Sequence, residues 1–172
     1  MATNLEFIKS VIPDGSSSSV SITNVFSAKY DAYAVTYNFV SDSGSPKDIN
    51  LRFINASDSI VTDSNYDYAY LDSGTSGHTE QKNTNQDNLT GILGAVDFTP
   101  EGSAGIIYAY NPFSSSLYTF VYNQAGNRHN GSTNGWKGVG VLKQATSMTG
   151  LNIYLSSTNC TSGSKITVYG VV

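Results

Sequence analysis

The stretch Tyr33-Ala-Val-Thr-Tyr-Asn-Phe39 decides the fold class, because its side chains alternate between two chemical types. The odd-numbered positions carry aromatic or β-branched side chains, whereas Thr36 and Asn38 between them are polar. Successive side chains of a β-strand point to opposite faces of a sheet. The stretch therefore predicts a half-buried strand whose odd-numbered residues face a core.

The same alternation recurs along the chain, and no segment has the 3.6-residue period of an amphipathic helix. Further strands are predicted at residues 49–53, 66–70, 106–110, 117–122, 139–142, 151–155 and 165–169, with additional candidates at 5–11, 20–26 and 91–96. Residues 117–122 carry apolar groups on both faces, as a central strand of a sandwich does. The pattern predicts an all-β, antiparallel, jelly-roll-like β-sandwich of about ten strands with little or no helix.

Composition and charge limit the classes of function. The 172 residues fit a single domain over 1–172, in which residues 1–29 form either an N-terminal docking arm or edge strands. The net charge is −4 and the nine Lys and Arg residues are scattered, so no nucleic acid partner is expected. Apolar runs are too short for a membrane helix, and the first residues lack a signal-peptide pattern. We therefore expect no membrane partner and synthesis in a cytoplasm.

Two long polar stretches, residues 72–88 and 124–138, interrupt the alternation and are predicted to be loops. Long loops in compact domains are often functional, so partner contacts are expected there. The candidate binding residues are Arg128, His129, Trp136 and Lys137. For Trp136 two interpretations stay open: a platform that stacks on sugar rings, or an aromatic that anchors the loop to the sandwich.

The residue types that carry catalysis are sparse. The single cysteine, Cys160, lies in a polar, turn-like stretch and is interpreted as a small structural residue in place of a nucleophile. Neither His78 nor His129 has a second His or Cys within four residues, so no zinc site and no other metal site is predicted. The sequence Ser162-Gly-Ser-Lys165 matches a Ser-x-x-Lys motif but lacks the helical setting. We expect no catalytic residues and no cofactor.

Carboxylates offer two further alternatives. Asp58, Asp63 and Asp67 are close in sequence, which leaves a loose oxygen-ligand cation site open beside the simpler interpretation of solvated turn residues. Glycoside hydrolysis uses two carboxylates across a cleft, and a pair such as Asp97 and Glu101 is open as an alternative by residue type alone. Neither pattern is specific enough to predict an activity.

Several segments resemble jelly-roll virion proteins of marine tailed phages, notably cyanophages. They are Phe26-Ser-Ala-Lys-Tyr-Asp-Ala-Tyr33, Ile49-Asn-Leu-Arg-Phe-Ile-Asn55, Ser64-Asn-Tyr-Asp-Tyr-Ala-Tyr70, Tyr110-Asn-Pro-Phe-Ser-Ser-Ser116 and the end of the chain from Ile153 to Gly170. The likeness spans nearly the whole chain and concerns strands and turns, so it carries no catalytic residue over.

The resemblance implies a non-catalytic structural protein of the virion, most simply a capsid decoration protein that binds the capsid surface. The alternative is a receptor- or glycan-binding module at a tail or head fibre tip, and a hydrolase is the least favoured. Its partners would be the major capsid protein or fibre and tail components. Because an exposed sheet edge is often covered by a neighbouring copy, we also expect a symmetric homo-oligomer, with a trimer favoured.

Overall fold

The computed structural model describes residues 4–42, 45–75, 77–97, 101–129 and 131–172, with the exception of the His129 side chain. The described residues form twelve strands and no helix. The strands are β1 (Leu5–Val11), β2 (Ser19–Ile22), β3 (Ala32–Phe39), β4 (Lys47–Asn55), β5 (Tyr66–Gly74), β6 (Gly77–Gln86), β7 (Ala95–Val96), β8 (Ser103–Tyr110), β9 (Thr119–His129), β10 (Ser132–Leu142), β11 (Met148–Leu155) and β12 (Lys165–Val171). In these ranges nothing resembles a helix that could cross a membrane.

The strands form two antiparallel sheets, which confirms the all-β sandwich predicted from the sequence. The large sheet has eight strands in the order β1-β12-β3-β8-β9-β10-β5-β6, and the small sheet has four in the order β2-β11-β4-β7. This strand order does not establish the more specific jelly-roll topology. β1 lies at one edge of the large sheet, where it pairs with β12 from Leu5↔Val171 to Val11↔Ile166.

The core lies between the sheets and is built by the predicted alternation. On β3 the side chains of Tyr33, Val35, Tyr37 and Phe39 are buried, while Asn38 is exposed. The small sheet contributes its own inward row, listed here by strand: Val20 and Ile22 on β2, Ile49, Leu51 and Phe53 on β4, and Leu151, Ile153 and Leu155 on β11. These residues join one apolar cluster with those of the large sheet, and their burial is the main favourable contribution to folding.

A four-stranded sheet cannot cover an eight-stranded one, and residues 87–97 cover part of the remainder. Leu89, Ile92 and Leu93 of this segment are fully buried against the inner face of the large sheet. Its backbone carbonyls are satisfied by inward side chains: Asn123 Nδ2 donates to Ile92 O at 2.6 Å, and Asn127 Nδ2 donates to Ala95 O at 2.8 Å. Buried backbone groups need such partners, so these asparagines hold the segment in place.

The prediction of two long loops is wrong, because both stretches are mostly strand. Residues 72–88 lie largely in β5 and β6, and residues 124–138 form most of the β9–β10 hairpin. On β9 two inward positions hold Asn123 and Asn127 instead of apolar side chains, because both asparagines bond to residues 87–97. The apolar alternation that would have predicted this strand is therefore missing. Strand β6 is exposed on both faces apart from the half-buried Gln86, so its sequence has no apolar side to reveal it.

Other boundaries also differ from the sequence-based prediction. The strand expected over 91–96 is reduced to Ala95–Val96, because the preceding residues form turns with positive φ at Gly91 and Gly94. The strand expected over 20–26 is β2, which ends at Ile22. In the strand expected over 117–122 the ladder begins at Thr119, and only Thr119 and Val121 of these six residues are buried.

Candidate functional site

The outer face of the large sheet carries exposed aromatic and aliphatic side chains on its central strands. The outward residues are Tyr108 and Tyr110 on β8, Phe120 and Tyr122 on β9, and Val139 on β10, with exposures from 36% for Tyr108 to 53% for Tyr122. Single exposed apolar residues are ordinary, but a contiguous patch marks a surface that contacts something else. We call this surface the aromatic face.

Strand register makes the aromatic face continuous. One row of paired residues crosses the whole sheet: Phe7, Tyr169, Ala34, Tyr108, Tyr122, Val139, Ala69 and Lys82. A second row is formed by Ala32, Tyr110, Phe120, Val141 and Asp67. The rings of Tyr110 and Tyr122 meet edge to face at 5.7 Å, and those of Phe7 and Tyr169 at 6.2 Å. Charged side chains enter these rows only at the β5–β6 end.

Two adjoining depressions of about 550 and 420 Å³ lie on this face near the β6 edge. Ala69, Val139 and Lys82 line both depressions. Phe120 lines the first and Tyr122 the second. An open trough with aromatic rings on one side and polar side chains on the other can accept a flat or extended ligand.

The outer face of the small sheet has a different character. Asn152 donates to Ser19 Oγ and Ser21 Oγ at 3.0 Å each. Arg52 forms an ion pair with Asp87, and its guanidinium lies 4.8 Å from the ring centroid of Tyr154. These polar groups satisfy one another, so the outer faces of the two sheets are chemically distinct.

Trp136 points into the protein, which corrects its interpretation as a sugar-stacking platform. Its side chain is only 6% exposed, its ring lies 4.8 Å from that of Tyr70, and its Nε1 donates to Asn127 Oδ1 at 3.0 Å. The alternative drawn from the sequence, an aromatic that anchors this region to the sandwich, describes this geometry.

The other predicted binding residues are not gathered into one site. Arg128 and Lys137 are exposed on the outer side of β9 and β10, opposite to the side that Trp136 occupies, because neighbouring residues of a strand alternate. The Arg128 guanidinium lies 3.3 Å from a Glu101 carboxylate oxygen and 3.3 Å from Thr133 Oγ1. His129 ends β9, and its side chain lies outside the described residues.

Cys160 is fully buried, and its Sγ lies 3.5 Å from the Ser18 carbonyl oxygen. Burial, with a smaller contribution from the Asp42 carboxylate, raises the pKa of the thiol to about 11. The nucleophilic form of cysteine is the thiolate, which this environment disfavours. The geometry therefore suits the structural interpretation of this residue.

Two of the candidate carboxylates, Asp67 and Glu101, form ion pairs. Asp67 accepts hydrogen bonds from Lys143 Nζ and from the backbone N–H of Asn85, both at 2.8 Å. Asp97 is buried, and Glu101 faces Arg128. Within the described residues, no three His, Cys, Asp or Glu side chains come together as a metal site would need.

The aromatic face was missed in the sequence. Its signal was present in residues 106–110 and 117–122, where apolar side chains occupy both sides of each strand. For residues 117–122 that pattern predicts a central strand of the sandwich, whereas in the structure the buried residues of both stretches are those of the inner side, Ile107, Ala109, Thr119 and Val121.

Comparison with the models of known protein families gives no match. No curated protein matches the chain significantly either.

Proposed function

We propose that this protein is a non-catalytic structural protein of a phage virion, and that it decorates the capsid by packing its aromatic face against the capsid surface. The observation that carries the proposal is the continuous outward row through Tyr108, Tyr122 and Val139. Tyrosine and phenylalanine are enriched where proteins meet, and charged residues are depleted from the centre of such contacts. The resemblance of the strand and turn segments to virion proteins of marine tailed phages supplies the choice of partner.

The dimensions of the aromatic face suit a protein partner. Eight strands spaced about 4.8 Å apart span roughly 34 Å, and outward residues two positions apart on one strand are separated by about 7 Å. The first row is about 34 Å long and the second, over five strands, about 19 Å long, so together they cover on the order of 400 Å². That is about half of the roughly 800 Å² that each partner buries in a standard interface, an area that suits the apolar centre of such a contact. The uncharged centre of the face suits a neutral protein surface better than a nucleic acid.

The test is to add the purified protein to capsids that lack it, and to count and locate the bound copies by cryo-electron microscopy. Density repeated over the capsid lattice is expected. The double variant Tyr108→Ser/Tyr122→Ser should reduce binding by about 100-fold or more, because it removes two central aromatic contacts. Tyr154→Ser, on the outer side of the small sheet, serves as the matched control and should bind normally. Unchanged binding by the double variant would contradict the proposal.

A second candidate, a glycan-binding module at a fibre tip, is favoured by the depressions that Phe120 and Tyr122 line beside Lys82. Aromatic rings stack on the apolar faces of sugars, and nearby polar groups bind hydroxyls. A few copies at tail or fibre tips, together with oligosaccharide binding that Tyr122→Ser abolishes, would favour this function over capsid decoration.

A further inference from the structure

Strand β6 is an unusually long and open sheet edge. It runs over the ten residues Gly77–Gln86, and in the described part of the chain it pairs with β5 alone. Nine of these ten residues are exposed. Edge strands present unpaired backbone groups that can pair with another strand, and typical strands have only about five or six residues.

The hairpin register fixes which backbone groups are free. Gly74 and Gly77 form the last pair of the β5–β6 ladder and are separated by two residues. A pair that closes so short a connection exchanges both of its hydrogen bonds, and bonded pairs then alternate along an antiparallel ladder. Thr79 and Gln81 therefore bond to β5, whereas the N–H and C=O groups of Glu80 and Lys82 point away from the sheet.

Glu80 and Lys82 carry opposite charges at these two outward-bonding positions. They pair across the ladder with Leu71 and Ala69, so both side chains lie on the side of the sheet that carries the aromatic face. Both are exposed, and neither forms an ion pair with any residue that the structure describes. An edge with one free anion and one free cation two residues apart is self-complementary under a two-fold axis.

We propose that two copies of this chain pair antiparallel through β6, about a two-fold axis at Gln81. In this register Glu80 lies opposite Lys82 of the second copy, and Lys82 lies opposite Glu80. Both positions have free backbone groups, so each pair also exchanges main-chain hydrogen bonds. Moving the axis to Glu80 or to Lys82 would keep the hydrogen bonds but would place like charges opposite each other. Charge therefore selects the register centred on Gln81.

The pairing would join two large sheets into one continuous sheet. Directly opposite residues of an antiparallel pair point to the same side, so both aromatic faces would lie on one side of the dimer. The contact is isologous and closes with two copies, whereas the trimer expected from the sequence would need a different interface. This inference does not rest on the virion function, because it uses only the β6 edge.

The experiment is sedimentation velocity at low ionic strength over a range of protein concentrations. The wild-type chain is expected to reach twice the monomer mass. Glu80→Lys and Lys82→Glu each place like charges opposite and should raise the dimer dissociation constant by about tenfold or more. Lys165→Glu, an exposed charge reversal on β12, is the matched control and should leave the dimer intact.

Two further samples test the register. The double variant Glu80→Lys/Lys82→Glu restores unlike pairs and should dimerise like the wild type. An equimolar mixture of the two single variants should form a heterodimer, although neither dimerises well alone. The proposal would be overturned if the chain were a monomer at every concentration or a trimer. It would also be overturned by a dimer whose dissociation constant is unchanged by these charge reversals. A dimer weakened only by Tyr108→Ser/Tyr122→Ser would assign the contact to the aromatic face instead.

Discussion

At the scale of single residues, Trp136 and Lys137 are adjacent in sequence, yet Trp136 has a structural role and Lys137 lies on the surface. Trp136 is buried and hydrogen-bonded to Asn127, whereas Lys137 is exposed on the opposite side of β10. Their proximity in sequence suggested one binding loop, but a strand divides neighbours between its two faces. The indole N–H finds its partner inside the protein, as buried tryptophans usually require.

Cys160 should behave as an inert thiol in the folded protein. Full burial and a pKa raised to about 11 leave little thiolate at pH 8. Reaction with an aromatic disulfide reagent is therefore expected to be at least about 100-fold slower in the native state than in urea-unfolded protein. Labelling of the native protein at the unfolded rate would show that the site is open. A Cys160→Ser variant provides the background.

At the scale of elements, the inner face of β9 shows why polar residues can mark a buried strand. Asn123 donates to Ile92 O. The single O–H of Tyr37 is shared between Leu93 O at 2.8 Å and Asn123 Oδ1 at 3.1 Å. These bonds fasten residues 87–97 to the large sheet. The segment thereby covers strands that the small sheet does not reach.

Asn123→Ala should lower the free energy of unfolding by about 2 kcal/mol, since it leaves the buried Ile92 carbonyl without its donor. Chemical denaturation measures this change, and hydrogen exchange should show faster exchange confined to residues 87–97. Asn38→Ala removes an exposed bond to Gly163 O and is the matched control, with an expected loss below about 0.5 kcal/mol. Equal losses for the two variants would contradict this account.

The β5–β6 hairpin is linked to the end of β10 by the Asp67–Lys143 ion pair. The Lys143 ammonium, followed by the Asn85 N–H, holds the pKa of the Asp67 carboxyl below its usual value. A depressed pKa stabilises the fold above the unfolded value of about 3.9, and that contribution is lost as pH falls through the folded pKa.

Asp67→Asn should therefore cost about 0.2–1 kcal/mol at pH 7, and the difference from wild type should shrink towards pH 2. Thermal unfolding followed by circular dichroism at both pH values measures it. Asp63→Asn changes an exposed carboxylate outside the ion pairs of the described residues and is the control for the loss of charge itself. If the difference in stability between Asp67→Asn and the wild type were the same at pH 7 and pH 2, the ion pair would be ruled out as its cause.

At the scale of the whole molecule, one apolar cluster joins the two sheets, so they should unfold together. Trp136 fluorescence reports on the large sheet. Cys160 lies in the connection from β11 of the small sheet to β12, where it bridges to Ser41 and contacts Ser18, so its exposure reports on the opening of that connection. Urea transitions followed by fluorescence, thiol exposure and circular dichroism should coincide. Separate midpoints would show that the chain divides into independently folding parts.

By itself the sequence determined the fold class and the strands whose two sides differ in polarity, such as β3 and β4, because the period-two pattern is a local property. It failed for β6, which has no buried side, and for the inward asparagines of β9, whose partners lie in the distant segment 87–97. Only the tertiary structure decided that Tyr108, Phe120 and Tyr122 face outwards. Alternation distinguishes two faces of a strand, but which of them is covered depends on the sheet packed against it, and here the small sheet covers one side only.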